Sequence, residues 1–362
     1  MADSEQYDRM KLLKDFDETK AGVKGLTDAG LFKLPQIFVR PPEELAEELK
    51  HDKADQVQVQ VPVIDLSGGR RREIVEQVRS AAETWGFFQV VSHGIPQSVC
   101  DGMIDGVRRF HEMGVDEKKK YYSRDARESV RYSSNFDLFK SKTASWRDTL
   151  SISANLGTHL LDPHQLPAVC RDSTVEYSKH VEKLGNTLLE LLSEGLGLKP
   201  EMLREMECSK GHRLHCHYYP ACPEPQLAIG TTKHSDPGFL TILLQNQLVS
   251  ALQVFYKDSW IDIQPVQGAL VINIGDLLQL VSNGKYRSNE HRVIANGIGP
   301  RISVACFLSG PFGNTGKIYG PIQELITQES PAIYKEIVIE DYLMKFLNSG
   351  LDSYRALDYY KA

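Results

Sequence analysis

Lys233-His234-Ser235-Asp236-Pro237-Gly238-Phe239-Leu240-Thr241-Ile242-Leu243-Leu244-Gln245 is the stretch whose reading decides the fold. A run of strand type, Phe239–Gln245, follows a Pro-Gly turn, and just before that turn a histidine and a carboxylate stand two residues apart. Working outward, similar short runs occur at Arg213–Tyr219, Ala251–Tyr256, Trp260–Ile263, Ala269–Ile274, His291–Ile294 and Ile302–Leu308, with Gly and Pro turns between them. Many short strands at close, regular spacing predict an antiparallel sandwich or barrel of jelly-roll type.

Towards the N-terminus the pattern is helical. Asp15–Gly30 reads as a short helix broken by glycines, Pro35, Pro41 and Pro42 stop regular structure, and Glu43–Lys50 can form a helical turn before a polar stretch over 52–60. Val61–Leu66 and Phe87–Val91 read as short strands on either side of a helix over Arg71–Trp85, where Ile74, Val78, Ala81 and Trp85 recur at helical spacing. Ser98 is placed to cap a further helix with Val99, Met103, Val107 and Phe110 on one stripe. Ser173–Gly195 is a long helix with Tyr177, Val181, Leu184, Leu188 and Leu192 on its apolar face, and the chain returns to helix at Ile339–Phe346. The expected organisation is mainly β with flanking helices: a helical N-terminal region with a few strands over 1–208, a jelly-roll core over 209–320 and a C-terminal helical segment over 321–362.

Composition excludes several function classes. The 362 residues carry a net charge of −6 with no basic stripe, which argues against a nucleic-acid surface. The one basic run, Lys118-Lys119-Lys120, follows Glu117 and reads as the solvated end of a helix. No stretch of about 18 apolar residues could span a membrane. The polar, acidic opening MADSEQYDRM lacks the apolar segment of a secretory signal. Six cysteines without CxxC spacing read as reduced thiols, and the cytosol is the expected compartment.

Residues i and i+2 of a strand face the same side, so His234 and Asp236 project together, and His291 brings a third ligand from another strand. Two imidazoles and a carboxylate that leave coordination positions open suit Fe(II), whereas zinc favours cysteines or three histidines. One isolated histidine would more often be packing or surface; the joint spacing is what points to metal. His215 and His217 form a competing HxH pair, but Arg213, His215, His217 and Tyr219 share one strand face and read better as the polar lining of a cosubstrate pocket. Arg301 and Ser303 are also i and i+2. A planar guanidinium matches a carboxylate in bidentate fashion, and an interior charge needs such a partner. Tyr219 can donate a phenolic hydrogen bond to the same carboxylate. Phe307, on the Arg301 face, is either a wall of the substrate pocket or plain core.

Val61–Leu66, Trp85–Pro96, Tyr218–Pro223, His234–Leu244, Asn289–Val293 and Arg301–Ser303 together resemble the plant 2-oxoglutarate/Fe(II)-dependent dioxygenase family, in order along the chain. The opening Phe16–Leu26 is similar to the subgroup of 1-aminocyclopropane-1-carboxylate oxidase homologues and deacetoxyvindoline 4-hydroxylase. The resemblance implies a double-stranded β-helix core, with His234, Asp236 and His291 as iron ligands and Tyr219, Arg301 and Ser303 binding 2-oxoglutarate. It implies Fe(II), 2-oxoglutarate and O₂ as cofactors, with ascorbate as reductant, and oxidation of a small plant specialised metabolite, by default hydroxylation, with release of succinate and CO₂. A same-fold Fe(II) oxidase that does not decarboxylate 2-oxoglutarate, a cupin-like binding protein without turnover, and a gibberellin- or flavonoid-type enzyme with the same chemistry on another substrate class are the alternatives. A small-molecule substrate, no nucleic-acid or membrane partner, and a monomer are expected. One departure stands out: many family members carry asparagine where this chain has His217. An ordinary imidazole there would titrate near pH 6.5 and make cosubstrate affinity depend on pH.

Overall fold

The protein's structure, a computed structural model, describes residues 8–51, 59–155, 162–311, 313–349 and 355–362. The sequence opening before residue 8 and most of the polar stretch 52–60 lie outside them. The strands that matter to the site are β1 (Val63–Asp65), β2 (Phe87–Val91), β3 (Val130–Ser134), β4 (Asp148–Asn155), β5 (Gly211–Tyr219), β6 (Ile229–His234), β7 (Leu240–Gln245), β8 (Leu252–Tyr256), β9 (Ser259–Asp262), β10 (Leu270–Ile274), β11 (His291–Ile294) and β12 (Arg301–Ser309). Among the described residues they form two sheets, in the orders β1-β2-β10-β7-β12-β5-β4-β3 and β6-β11-β8-β9. All pairings are antiparallel except β1 with β2. This is the jelly-roll sandwich that the strand spacing predicts.

The large sheet sorts its residues by period two. Leu214, Cys216 and Tyr218 of β5, Leu150 and Ile152 of β4, Leu240, Ile242 and Leu244 of β7, and Ile302, Val304, Cys306 and Leu308 of β12 belong to the core under the helices. The alternate residues, among them His217, Tyr219, Thr241, Ser303 and Phe307, line the space between the sheets. A one-residue slip of any strand would exchange the two sets. Each fully buried Leu or Ile contributes roughly 1.5–3 kcal/mol, so the outer face locks the register that aims the inner face at the site.

Helices Arg71–Thr84, Gln97–His111 and Arg171–Gly195 cover that outer face. The longest passes close to the sheet at Gly185, where a Cβ would meet Leu308 Cδ1 at 2.7 Å. Strands β3 and β4 are an addition that the sequence reading lacks, although Thr149–Ser153 alternates polar and apolar residues strictly. Asp148, at the start of β4, is fully buried and accepts from the backbone N–H groups of Val23 and Lys24, both at 2.8 Å. These lie in the first turn of helix Gly22–Asp28, where a negative charge opposes the positive end of the helix dipole. The N-terminal segment is thereby pinned to the sheet edge.

Two local expectations are corrected. Ser98 is not a cap: the helix starts at Gln97 after Pro96, because the fixed proline φ already sets the entry and no side-chain cap is made. Lys118 is not part of a solvated helix end. It is wholly buried and donates to the His111 carbonyl at 2.9 Å, while Lys119 and Lys120 alone are solvated, paired with Asp116 and Glu117. Among the described residues no helix is long and apolar enough to cross a membrane, and the six cysteines are free and buried.

Candidate metal centre

Strands β6 and β11 are antiparallel neighbours, and their register sets His291 directly opposite His234. Asp236 follows two residues after the end of β6, where Pro237-Gly238 turns the chain into β7. The three ligand atoms lie within 4.8 Å of one another, and among the described residues this is the group able to hold a metal. Asp236 Oδ1 stands 3.5 Å from His234 Nε2 and 3.6 Å from His291 Nε2.

Their surroundings aim three lone pairs at one point. His234 Nδ1 meets the Thr232 carbonyl at 2.8 Å, and His291 Nδ1 meets that of Asn289 at 3.4 Å. A carbonyl can only accept, so each Nδ1 carries a proton and Nε2 is the nitrogen turned towards Asp236. Asp236 Oδ2 accepts from the Thr241 hydroxyl at 2.5 Å and the Asn273 amide at 2.7 Å, which turns Oδ1 towards the histidines. Burial alone would raise the Asp236 carboxyl, but the His291 and His234 imidazoles and the Thr241 hydroxyl hold it well below the usual carboxylate range. Burial pushes His291 down to about 4, with His234 adding to the shift, so it is neutral near pH 7. The Phe87 ring packs edge-on against His291 at 5.2 Å and restricts its rotation. A carboxylate with two imidazoles, each oriented from behind, fits a divalent iron ion.

The second half of the site runs along β5 and β12, whose register pairs Arg301 with Tyr219, Ser303 with His217 and Ala305 with His215. Arg301 is buried, donates to Gln245 Oε1 at 2.7 Å and to Ser303 Oγ at 3.3 Å, and lies 5.0 Å from the centre of the Tyr219 ring. Its Nε, shielded from solvent, has no partner. Among the described residues no carboxylate sits within ion-pair distance of this guanidinium, so the cavity holds a positive charge and donor sites without their anion. A dicarboxylic oxo-acid would supply the missing charge, and these residues fit it. Phe307 faces the same space rather than the helix-covered core: it lines the cavity at the triad and the wider one beyond it.

Sequence reasoning missed four contributors. Arg147 is buried just ahead of β4, and its Nη1 donates to Thr231 Oγ1 at 2.9 Å, the hydroxyl that also meets Tyr219 Oη at 3.1 Å. Burial raises the Tyr219 phenol, but Arg147 and Arg301 outweigh it and hold the pKa below its ordinary value. Thr231 itself, and Thr241 and Asn273 behind Asp236, are the other three. Each sits at an inward position of its strand, so alternation was the available signal, but it does not say which inward residue meets which.

His217 is corrected in charge. Its Nδ1 lies 3.0 Å from Thr149 Oγ1 in a buried setting. Burial, together with Arg147, His215 and Arg301, holds its pKa well below the ordinary value, so it does not titrate near pH 6.5. Among the described residues the His215/His217 pair gathers no third ligand; their rings meet edge-on at 5.8 Å.

Residues 210–310 match the 2OG-Fe(II) oxygenase superfamily, and residues 61–169 match the N-terminal region described as non-haem dioxygenase in morphine synthesis. The chain is 49% identical to 1-aminocyclopropane-1-carboxylate oxidase homolog 1 of Arabidopsis thaliana, over 98% of this chain and 97% of that protein. It is also 49% identical to deacetoxyvindoline 4-hydroxylase of Catharanthus roseus, over 93% of this chain and 86% of that protein. Among solved structures, JOX2 in complex with 2OG, Fe and JA superposes with a TM-score of 0.80 at 31% identity, over 94% of this chain and 97% of that one. This chain belongs to the 2-oxoglutarate/Fe(II) oxygenase superfamily and is an oxidoreductase. Its cofactors are Fe(II) and 2-oxoglutarate.

Proposed function

We propose that the protein hydroxylates a small plant specialised metabolite, coupled to conversion of 2-oxoglutarate and O₂ into succinate and CO₂. The observation that carries this reading is the position of a cavity of about 230 Å³ that opens onto His234 and Asp236 and is walled by Phe307, Leu343 and Phe346. It is separate from the Arg301 end, so cosubstrate and substrate have their own places. In this reading His234, Asp236 and His291 hold iron(II), and Arg301, Ser303 and Tyr219 hold 2-oxoglutarate by its distal carboxylate. Residues 209–320 are the working core, within 1–208 and 321–362. Bound iron(II) supplies dioxygen activation coupled to loss of CO₂ from the oxo-acid. The chain's own residues position and exclude. Thr241 and Asn273 orient Asp236, Arg301 and Ser303 orient the oxo-acid chain, and Leu343 and Phe346 of helix Ile339–Ser349 keep water from the reacting face. A cytosolic setting, with which the free cysteines agree, a monomer and ascorbate as reductant complete the reading.

The test is turnover of candidate metabolites by iron-loaded protein, followed by succinate formation and product mass. One mole of succinate per mole of product, with the product gaining one oxygen, is expected. Product formed at an unchanged rate without 2-oxoglutarate would transfer the assignment to the oxidase alternative.

A further inference from the structure

The inner face of the large sheet has two cationic ends. Arg301 and Tyr219 form one. Arg213 lies six residues back along β5, roughly 20 Å away at about 3.3 Å per residue, with Ser153 opposite it on β4. Arg131 reaches the same end from β3, next to Ser151. The cavity above the triad is therefore lined by three guanidinium groups, Arg131, Arg147 and Arg213, and by the hydroxyls of Ser133, Thr149 and Ser151. Asp236 is the one carboxylate among its described lining residues, and it belongs to the triad.

Arg131 is 9% exposed. Its Nη1 makes a long contact, 3.3 Å, to the Asp125 carbonyl, while the Asp125 carboxylate is taken by Arg127. Among the described residues no carboxylate lies within 4 Å of the Arg131 guanidinium. Nearby, His215 Nε2 is shielded from solvent and has no partner. Burial and the neighbouring Arg131 push Arg213 down to about 10, which leaves it charged at neutral pH while the two cations repel each other. Buried charge of one sign is costly unless a partner of the other sign neutralises it. The 2-oxoglutarate dianion cannot be that partner, because Arg301 at the opposite end takes its distal carboxylate. A second anion seated in this cavity would complement Arg131, on which Asp125 and Glu128 act only from beyond ion-pair distance.

We propose that the substrate carries a carboxylate, seated against Arg131 with Arg213 beside it, so that its apolar body lies between Phe136, Phe307 and Phe346 and presents a C–H to the triad. The inference rests on the oxygenase reading above and narrows its substrate class to organic acids. Arg131, on a strand that the sequence pattern left unassigned, is then the specificity-determining residue.

The test uses full-length protein loaded with Mn(II) and 2-oxoglutarate, and calorimetric titration with 3-phenylpropionate and with its neutral primary amide. The acid should bind at least tenfold more tightly than the amide. Arg131→Gln should bring the ratio within twofold, Arg131→Lys should keep part of it, and Arg213→Gln, on β5 across β4, should also lower it. A wild-type protein that does not favour the acid, or a ratio unchanged in Arg131→Gln, overturns the proposal. So does an Arg131→Gln protein in which only the KM for 2-oxoglutarate changes, with a weaker salt dependence, since that marks electrostatic steering of the cosubstrate. Failure of the oxygenase reading is distinguishable, because it appears as wild-type protein that releases no succinate whatever the binding ratio.

Discussion

The side-chain amide of Asn273 lies 2.7 Å from Asp236 Oδ2, on the side of the carboxylate turned away from the two histidines. Asn273 comes from β10 and Asp236 from the turn before β7, and the two are brought together only because β10 pairs with β7. Asn273→Ala removes one of two donors that orient the carboxylate. Metal affinity should fall by about ten- to a hundredfold, as for other partners behind metal ligands. Fe(II) or Mn(II) titration of the variant and of Thr241→Val checks this, with His234→Ala as the more severe reference. Unchanged affinity in Asn273→Ala would mean that Asp236 is oriented by Thr241 alone.

Arg301→Lys should raise the KM for 2-oxoglutarate by about ten- to a hundredfold, the equivalent of roughly 1.5–3 kcal/mol for a lost charge-assisted hydrogen bond. A lysine keeps the charge but cannot reproduce the fork that spans Gln245 and Ser303. Steady-state kinetics with varied 2-oxoglutarate is the measurement. A KM within twofold of wild type would remove Arg301 from the cosubstrate site.

His217 should leave no mark on the pH profile. Burial, with the neighbouring Arg147, His215 and Arg301, keeps it neutral through the working range. The KM for 2-oxoglutarate measured between pH 6 and 7.5 should give superimposable curves for wild type and His217→Asn. A step near pH 6.5 that disappears in the variant would restore the titrating imidazole.

Acid should destabilise the fold through its buried neutral histidines. Burial pushes His111 down to about 3, with Lys118 adding to the shift against the Cys216 carbonyl contact, and burial pushes His212 down to about 4. The unfolded chain binds a proton at each near pH 6.5, while the folded chain does not. Stability is therefore complete above about pH 6.5 and is lost as pH falls towards 4, by up to about 1.4 kcal/mol per pH unit for each histidine. Urea denaturation at pH 7, 5.5 and 4.5 should show a shallower loss in His111→Gln, which can still donate to the Cys216 carbonyl. Equal slopes in the two proteins would refute the assignment.

Much of the fold was legible in the sequence because a strand's faces alternate and each face has one environment. Leu240-Thr241-Ile242-Leu243-Leu244 and Ile302-Ser303-Val304 announce which residues go under the helices and which go to the site. The triad was legible for the same reason, since His234 and Asp236 need only local spacing to face together. Strands β3 and β4 and the lysine at 118 were not. A polar residue in a short alternating run gives no sign of whether water or a buried partner awaits it.

The sequence by itself determined which side chains point inward, the ligand types of the triad, and the arginine-serine pair proposed to receive an oxo-acid. The tertiary structure alone decided that His291 lies opposite His234, that Asn273 and Thr241 hold Asp236 from behind, that Arg147 and Tyr219 meet on Thr231, and that His217 is uncharged. The division has a physical cause. Facing is a property of neighbouring dihedral angles, whereas strand register and desolvation depend on every element packed around a residue, many of them far away along the chain.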